Sequence, residues 1–231
     1  MTGRIETTIY IALPLVLWPL TFDVFSRYFV YGMAISTLLI GSLTLAWFRD
    51  RLHWFRLGAI IVILTGILFA FIMYMVFIGG YAILTYLGLS KYVVMVYAMI
   101  RRSISKYALA VALVIIGIME ELIVYAMIRR SISKYALAVA LVIIGIMEEL
   151  YWRGGLQELM RGVGGIARRE PWLLSMTYYT LIHISTLNPA LVAGAFAVGL
   201  IDGLLADKVG LTASTITHIL WLELIMVILP L

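Results

Sequence analysis

Residues 135–147, YALAVALVIIGIM, end in Glu148-Glu149-Leu150-Tyr151-Trp152-Arg153, a long apolar run closed by two adjacent carboxylates and an arginine. A charged side chain at the centre of a membrane span costs roughly 2.5–3.5 kcal/mol on insertion scales. A chain that carries this cost twice in succession has a use for it. Glu149 and Arg153 are four apart, so on a helix they share a face and can pair. Glu148 is turned about 100° from its neighbour and is free to address something else. The spacing assigns a water to one glutamate and a scaffold role to the other, with Arg153.

The composition around this stretch fits a membrane. Of the 231 residues, 64% are hydrophobic and 13% charged, with a mean hydropathy of +1.09; a soluble domain is about 45–50% apolar and about 25% charged. The chain reads as an all-α, polytopic transmembrane helix bundle of about seven or eight helices, a single integral membrane domain over residues 1–231. The net charge of +5 is spread over short loops, where it reports orientation and not nucleic-acid binding. The absence of cysteine excludes disulfides, thiolate metal sites and thiol nucleophiles. Residues 1–6 are too few and too mixed in charge for a cleaved signal peptide. The expected setting is multi-pass in a cell membrane. The expected partners are the lipid bilayer and a membrane-associated peptide or protein substrate, with no nucleic acid.

Apolar stretches near the length of a span fall at 7–22, kinked by Pro14 and Pro19, at 28–48, at 57–78, closed by Gly79-Gly80, and more weakly at 81–100, which carries Gly88 and Lys91. The basic loop 49–56 is expected on the cytoplasmic side. Further helices are expected at 172–187, opened by Pro171 and closed at Asn188-Pro189, at 190–206, and at 211–229. In the second of these, Gly194, Gly199 and Gly203 are spaced for close helix contact.

Residues 96–122 recur unchanged as residues 124–150, with 27 identities at a period of 28. Old repeats diverge at surface positions, so a perfect copy reads as a very recent tandem duplication or an error of sequence assembly. Two units are too few for a solenoid. The copies are not equivalent, because Arg153 follows Glu149 by four residues whereas Tyr125 follows Glu121 by four. An extra unit that spans the membrane reverses the side of everything after it; otherwise it lies at the interface or folds back.

Three histidines are present. His53 lies in a basic loop and reads as solvated. His183, four residues after Tyr179, and His218 lie inside apolar helices, where titratable side chains tend to face cavities and mark function. Asp202 reads as a helix-end or interhelical hydrogen bond, and Glu223 as a membrane-edge residue. Three helices thus offer titratable groups, and two chemistries can use them. A carboxylate and an imidazole deprotonate a water while the second imidazole donates to the oxyanion. Alternatively, Glu148, His183 and His218 bind a divalent metal such as zinc that activates the water. No His-x-x-x-His pair is present to choose between them.

Glu148-Glu149-x-x-x-Arg153, Tyr179-x-x-x-His183 and the stretch from Phe196 through Gly199, Gly203 and Gly210 to His218 together resemble the CPBP family. That family comprises the type II CAAX prenyl endopeptidases and the bacteriocin-processing and immunity proteins. The resemblance covers residues 143–222. It implies an intramembrane endopeptidase without a cofactor, in which Glu148 and His183 activate water, Glu149 and Arg153 form a supporting pair, and His218 holds the oxyanion. Tyr179 stands where phenylalanine is commoner. Leu222 stands where the family has Asn or Asp; if that side chain assists His218, its loss costs about 3 kcal/mol, as for one oxyanion donor. The second expectation is therefore a catalytically silent scaffold or immunity protein that binds a peptide without cutting it.

Overall fold

Backbone amides in lipid have no partner but one another, so an apolar chain of this kind folds into helices. The computed structural model describes residues 4–116 and 122–230, with side chains described outside 104–133. Among the described residues there is no strand. The elements are α1 (Arg4–Pro19, running into a π-helical turn Leu20–Val24), α2 (Phe29–Trp47), α3 (Ala59–Tyr86), α4 (Ser90–Ile116) and α5 (Leu122–Glu149, running into a π-helical stretch Leu150–Leu156). There follow the short α6 (Gln157–Arg161) and α7 (Gly165–Arg169), then α8 (Pro171–His183), α9 (Pro189–Lys208) and α10 (Leu211–Glu223, extended by Leu224–Ile228). Among the described residues six helical segments are long and apolar enough to cross a membrane: Arg4–Val24, Ser26–Trp47, Ala59–Tyr86, Lys134–Arg161, Pro189–Lys208 and Leu211–Ile228. The 13-residue α8 is about 20 Å long and packs among them.

One boundary differs from the sequence expectation. Gly79-Gly80 does not end a span; α3 continues through both to Tyr86, and residues 81–100 do not form a helix of their own. A glycine in a helix costs about 1 kcal/mol relative to alanine. Leaving backbone groups unpaired in an apolar medium costs several times more. The turn comes at Gly88, whose φ of 70° favours glycine.

Small residues set the helix contacts. A Cβ on Gly66 of α3 would stand 2.9 Å from the Ala213 carbonyl of α10, and Gly199 and Gly203 of α9 face Met176 and Trp172 of the antiparallel α8. Gly41 of α2 lies against Met147 of α5, and a turn further on the Tyr10 hydroxyl bonds both Thr44 and the Tyr151 carbonyl. Hence α2 and α5 run parallel.

The bundle has two unlike ends. At one, residues 53–56 are laced to the α9–α10 turn: Leu211 and Thr212 amides donate to the carbonyls of His53 and Trp54, and the Arg56 amide donates to Val209. Glu158 joins this lacing to Arg56 at 2.9 Å and to Arg161 at 2.9 Å, and Arg161 continues to Asp207. At the other end lie His183, the start of α2, the start of α9 and the first turns of α4. Asn188 donates to the Tyr92 carbonyl, Tyr97 to Ile225, and Ser103 accepts from the Val30 amide. Glu120, Glu121 and most of the first repeat copy lie outside the residues whose side chains are described.

Candidate active site

The acidic pair closes α5 where the helix widens into the π-helical stretch Leu150–Leu156, all of it buried. Such wide turns recur at functional sites. Here the widened stretch packs without side chains at Gly154 and Gly155: a Cβ on Gly155 would run into the Tyr10 hydroxyl, and one on Gly154 would stand 2.6 Å from Leu52 Cδ2.

Glu148, Glu149, Arg153, Asp202 and His218 are all buried and meet in one cluster. Glu149 Oε1 lies 3.0 Å from Arg153 NH1 and 2.8 Å from His218 Nδ1. Asp202 Oδ2 reaches the same Nδ1 at 3.1 Å and Arg153 NH2 at 4.0 Å. Arg153 also donates to the Val198 carbonyl at 3.0 Å and stacks over the Tyr179 ring, 5.1 Å from its centroid. On its far side His218 Nε2 lies 3.3 Å from Glu148 Oε2. The other Glu148 oxygen, Oε1, is buried and has no hydrogen-bond partner among the described residues. His218 is thus held between carboxylates at both nitrogens. A carboxylate only accepts, so each ring nitrogen facing one acts as a donor.

His183 makes its hydrogen bonds outside this cluster. Its Nδ1–H donates to the Tyr179 carbonyl at 2.8 Å, and its Nε2 accepts from the Trp18 indole at 3.2 Å. The two bonds fix a neutral ring with both nitrogens in use. The sequence reading paired Glu148 with His183 and left His218 for the oxyanion; in the resting geometry the imidazole beside Glu148 is His218. Tyr179 lies edge-on to Trp152, with centroids 4.8 Å apart, and tilts against His183 at 4.6 Å. Leu222 is buried one turn beyond His218 and packs toward Gly145. His53 is half exposed, 3.9 Å from Glu158, and takes no part.

Asp202 and Trp18 enter the site without having been assigned to it. Asp202 has no partner at helical spacing, and its buried position in a glycine-rich helix was the only hint. Trp18 carried no signal among the aromatic residues of a membrane helix.

Among the described residues, the grouping close enough to hold a metal ion is Glu149, Asp202 and His218. His183, required by the zinc alternative, is not in it. Arg153 already stands 3.0 Å from Glu149, so a guanidinium occupies the cation's place beside that carboxylate. The donor set therefore fits a metal poorly.

Behind Tyr179 and His183 opens an apolar groove of about 220 Å³, whose walls include Phe77, Tyr81, Val96, Leu191 and Trp221. The site thus comprises a pair of carboxylates on α5, a histidine on α10 and a second histidine beside an apolar groove. Residues 130–222 match the type II CAAX prenyl endopeptidase family, Rce1-like. The match covers less than half of the chain and is consistent with the CPBP resemblance. With the six apolar helices it indicates a multi-pass membrane protein. The matched region contains the acidic pair, Arg153, both buried histidines and Asp202. No curated protein and no solved structure matches the chain.

Proposed function

We propose that the protein is a glutamate-type intramembrane endopeptidase that cuts a lipid-modified or otherwise apolar peptide. The observation that carries this is Glu148: one oxygen faces His218 Nε2 at 3.3 Å, and the other is buried with no hydrogen-bond partner among the described residues. A buried unpaired carboxylate oxygen is an acceptor for a water. Glu148 takes a proton from that water as its oxygen attacks the peptide carbonyl. Once protonated, Glu148 is a weaker acceptor, and the Nε2–H of His218 is released toward the developing oxyanion. The C–N bond then breaks, and Glu148 returns the proton to the leaving amine. Glu149 and Asp202 hold the opposite edge of the His218 ring, and Arg153 balances their charge. His183 and Tyr179 line the groove that seats the apolar part of the substrate. His183 joins the water when its bond to Trp18 opens.

The second reading is a silent peptide-binding scaffold, favoured by Leu222, an apolar side chain where a donor is expected. One experiment separates the readings. The purified protein is incubated in detergent with farnesylated and unmodified peptides, alongside Glu148→Gln and with an exhaustive chelator. Cleavage is expected to fall by about 10³-fold or more in the variant and to survive chelation. No cleavage by the parent, or equal cleavage by Glu148→Gln, rejects the enzyme; loss on chelation restores the metal chemistry.

A further inference from the structure

We propose that Trp221 is a substrate-binding residue: its indole N–H receives a main-chain carbonyl of the peptide that lies in the apolar groove. The proposal rests on the endopeptidase reading for the nature of the occupant and adds a donor to it. Trp221 lines the groove together with Tyr179 and His183. Its ring also lies 5.7 Å, centroid to centroid, from that of His218. The indole therefore stands between the groove and the acidic cluster.

Trp221 is 7% exposed, and its Nε1 is buried with no hydrogen-bond partner among the described residues. Buried donors are as a rule paired, and one left over calls for an explanation. Two other polar groups of the groove wall are already engaged: His183 at both ring nitrogens, and the Tyr97 hydroxyl, which donates to the Ile225 carbonyl at 2.8 Å. The Trp152 indole is also unpaired, but it lies fully buried among Trp18, Tyr151 and Tyr179, away from the groove. The Trp221 ring is held in place. Phe77 of α3 packs on it with centroids 4.5 Å apart. Gly194 of α9 makes room for Phe77, since a Cβ there would stand 3.2 Å from that ring. Just beyond Trp221 the helix widens into the π-helical turn Leu224–Ile228, a departure that recurs at functional sites.

Chemistry selects the ligand. A hydrocarbon chain offers the indole no acceptor. A peptide offers one carbonyl per residue, and each carbonyl that enters an apolar groove loses its water, a cost that only a replacement donor offsets. Pairing the two satisfies both at once. An extended peptide covers about 3.3–3.6 Å per residue. With the scissile carbonyl at His218, a carbonyl one or two residues away falls about 3–7 Å off, a range that includes the 5.7 Å between the two rings. Trp221 thus reads the main chain of the substrate and not its side chains. Leu222, the next residue, turns about 100° away on the helix, packs toward Gly145 and supplies no donor of its own.

The test uses the full-length Glu148→Gln protein in detergent, labelled with nitrogen-15 at its indoles, so that turnover does not enter. Two probes are compared: a farnesylated peptide, and ethyl farnesyl sulfide, which carries the same chain without a carbonyl. The Trp221 indole resonance is assigned by its loss in Trp221→Phe. The peptide is expected to move that proton signal downfield, as a new acceptor does, and ethyl farnesyl sulfide is not. Adding Trp221→Phe should weaken peptide binding about tenfold and leave the affinity for ethyl farnesyl sulfide unchanged, the internal sign that the groove is still formed. A signal that the peptide does not move, or that both probes move alike, overturns the proposal. So does an equal loss of affinity for both probes, which would make the indole a packing residue only. A peptide-specific shift without any hydrolysis by the parent removes the enzyme reading alone; hydrolysis with an unmoved signal removes this one alone.

Discussion

At the scale of the residue, the cluster turns on which atoms already have partners. Trp18 occupies His183 Nε2, so Trp18→Phe should keep or raise the turnover of a farnesylated peptide, whereas His183→Ala should lower it by about 10²–10⁴-fold. A hundredfold loss in Trp18→Phe would show that the indole must hold the ring in place. Arg153 is a buried cation beside Glu149 and Asp202. Arg153→Met leaves buried carboxylates without it, which costs about 3–5 kcal/mol. The expected result is a clear fall in the thermal midpoint of the detergent-solubilised protein, and an unchanged midpoint would deny the pairing its structural weight. The pairing of Glu149 with Arg153 was legible because a helix fixes what lies four residues on. The contact of Asp202 with His218 was not, since it joins α9 to α10 and no spacing encodes it. The same holds for Trp18 and His183, which are 165 residues apart.

At the scale of the element, the π-helical stretch after Glu149 aims the site. Gly155 lets α1 lie directly on it, with the Tyr10 hydroxyl where a Cβ would be. Gly155→Ala forces the two apart and should destabilise the fold by about 1–3 kcal/mol, the usual range for overpacking. Differential scanning fluorimetry against Gly79→Ala, which meets no atom within 4 Å, gives the comparison; equal midpoints would mean that the bundle closes without this contact. Apart from residues 81–100, the apolar helices were readable from hydropathy, and Asn188-Pro189 marked a cap that the structure uses. The continuation of α3 through Gly79-Gly80 was not readable. Glycine ends helices in water, where freed backbone groups find partners; an apolar surrounding offers them none.

At the scale of the whole molecule, orientation was the least legible property. Basic side chains lie at both ends, Arg49, Arg51, Arg56, Arg168 and Arg169 at the laced end and Arg27, Lys91, Arg101 and Arg102 at the other, so the bias expected for loop 49–56 does not by itself distinguish them. The repeat poses the matching question. Ser103 is pinned to the start of α2. Lys134 stands thirteen residues before Met147, the residue against Gly41, which is about 20 Å back along a helix parallel to α2. The described residues that flank the duplicated segment therefore lie at the same end of the bundle. Deleting residues 104–131 restores a single copy and joins these flanks. The shortened protein is expected to insert with the same sidedness and to keep its peptide-cleaving activity, measured by cysteine accessibility at an introduced Val163→Cys, beyond the repeat and exposed, and by turnover. Inverted labelling would show that the extra unit had set the direction of everything behind it. When both flanks of a copied segment lie on one side of the bilayer, the helices that follow keep the side they had before the copy, so the charge bias that orients them is unaltered.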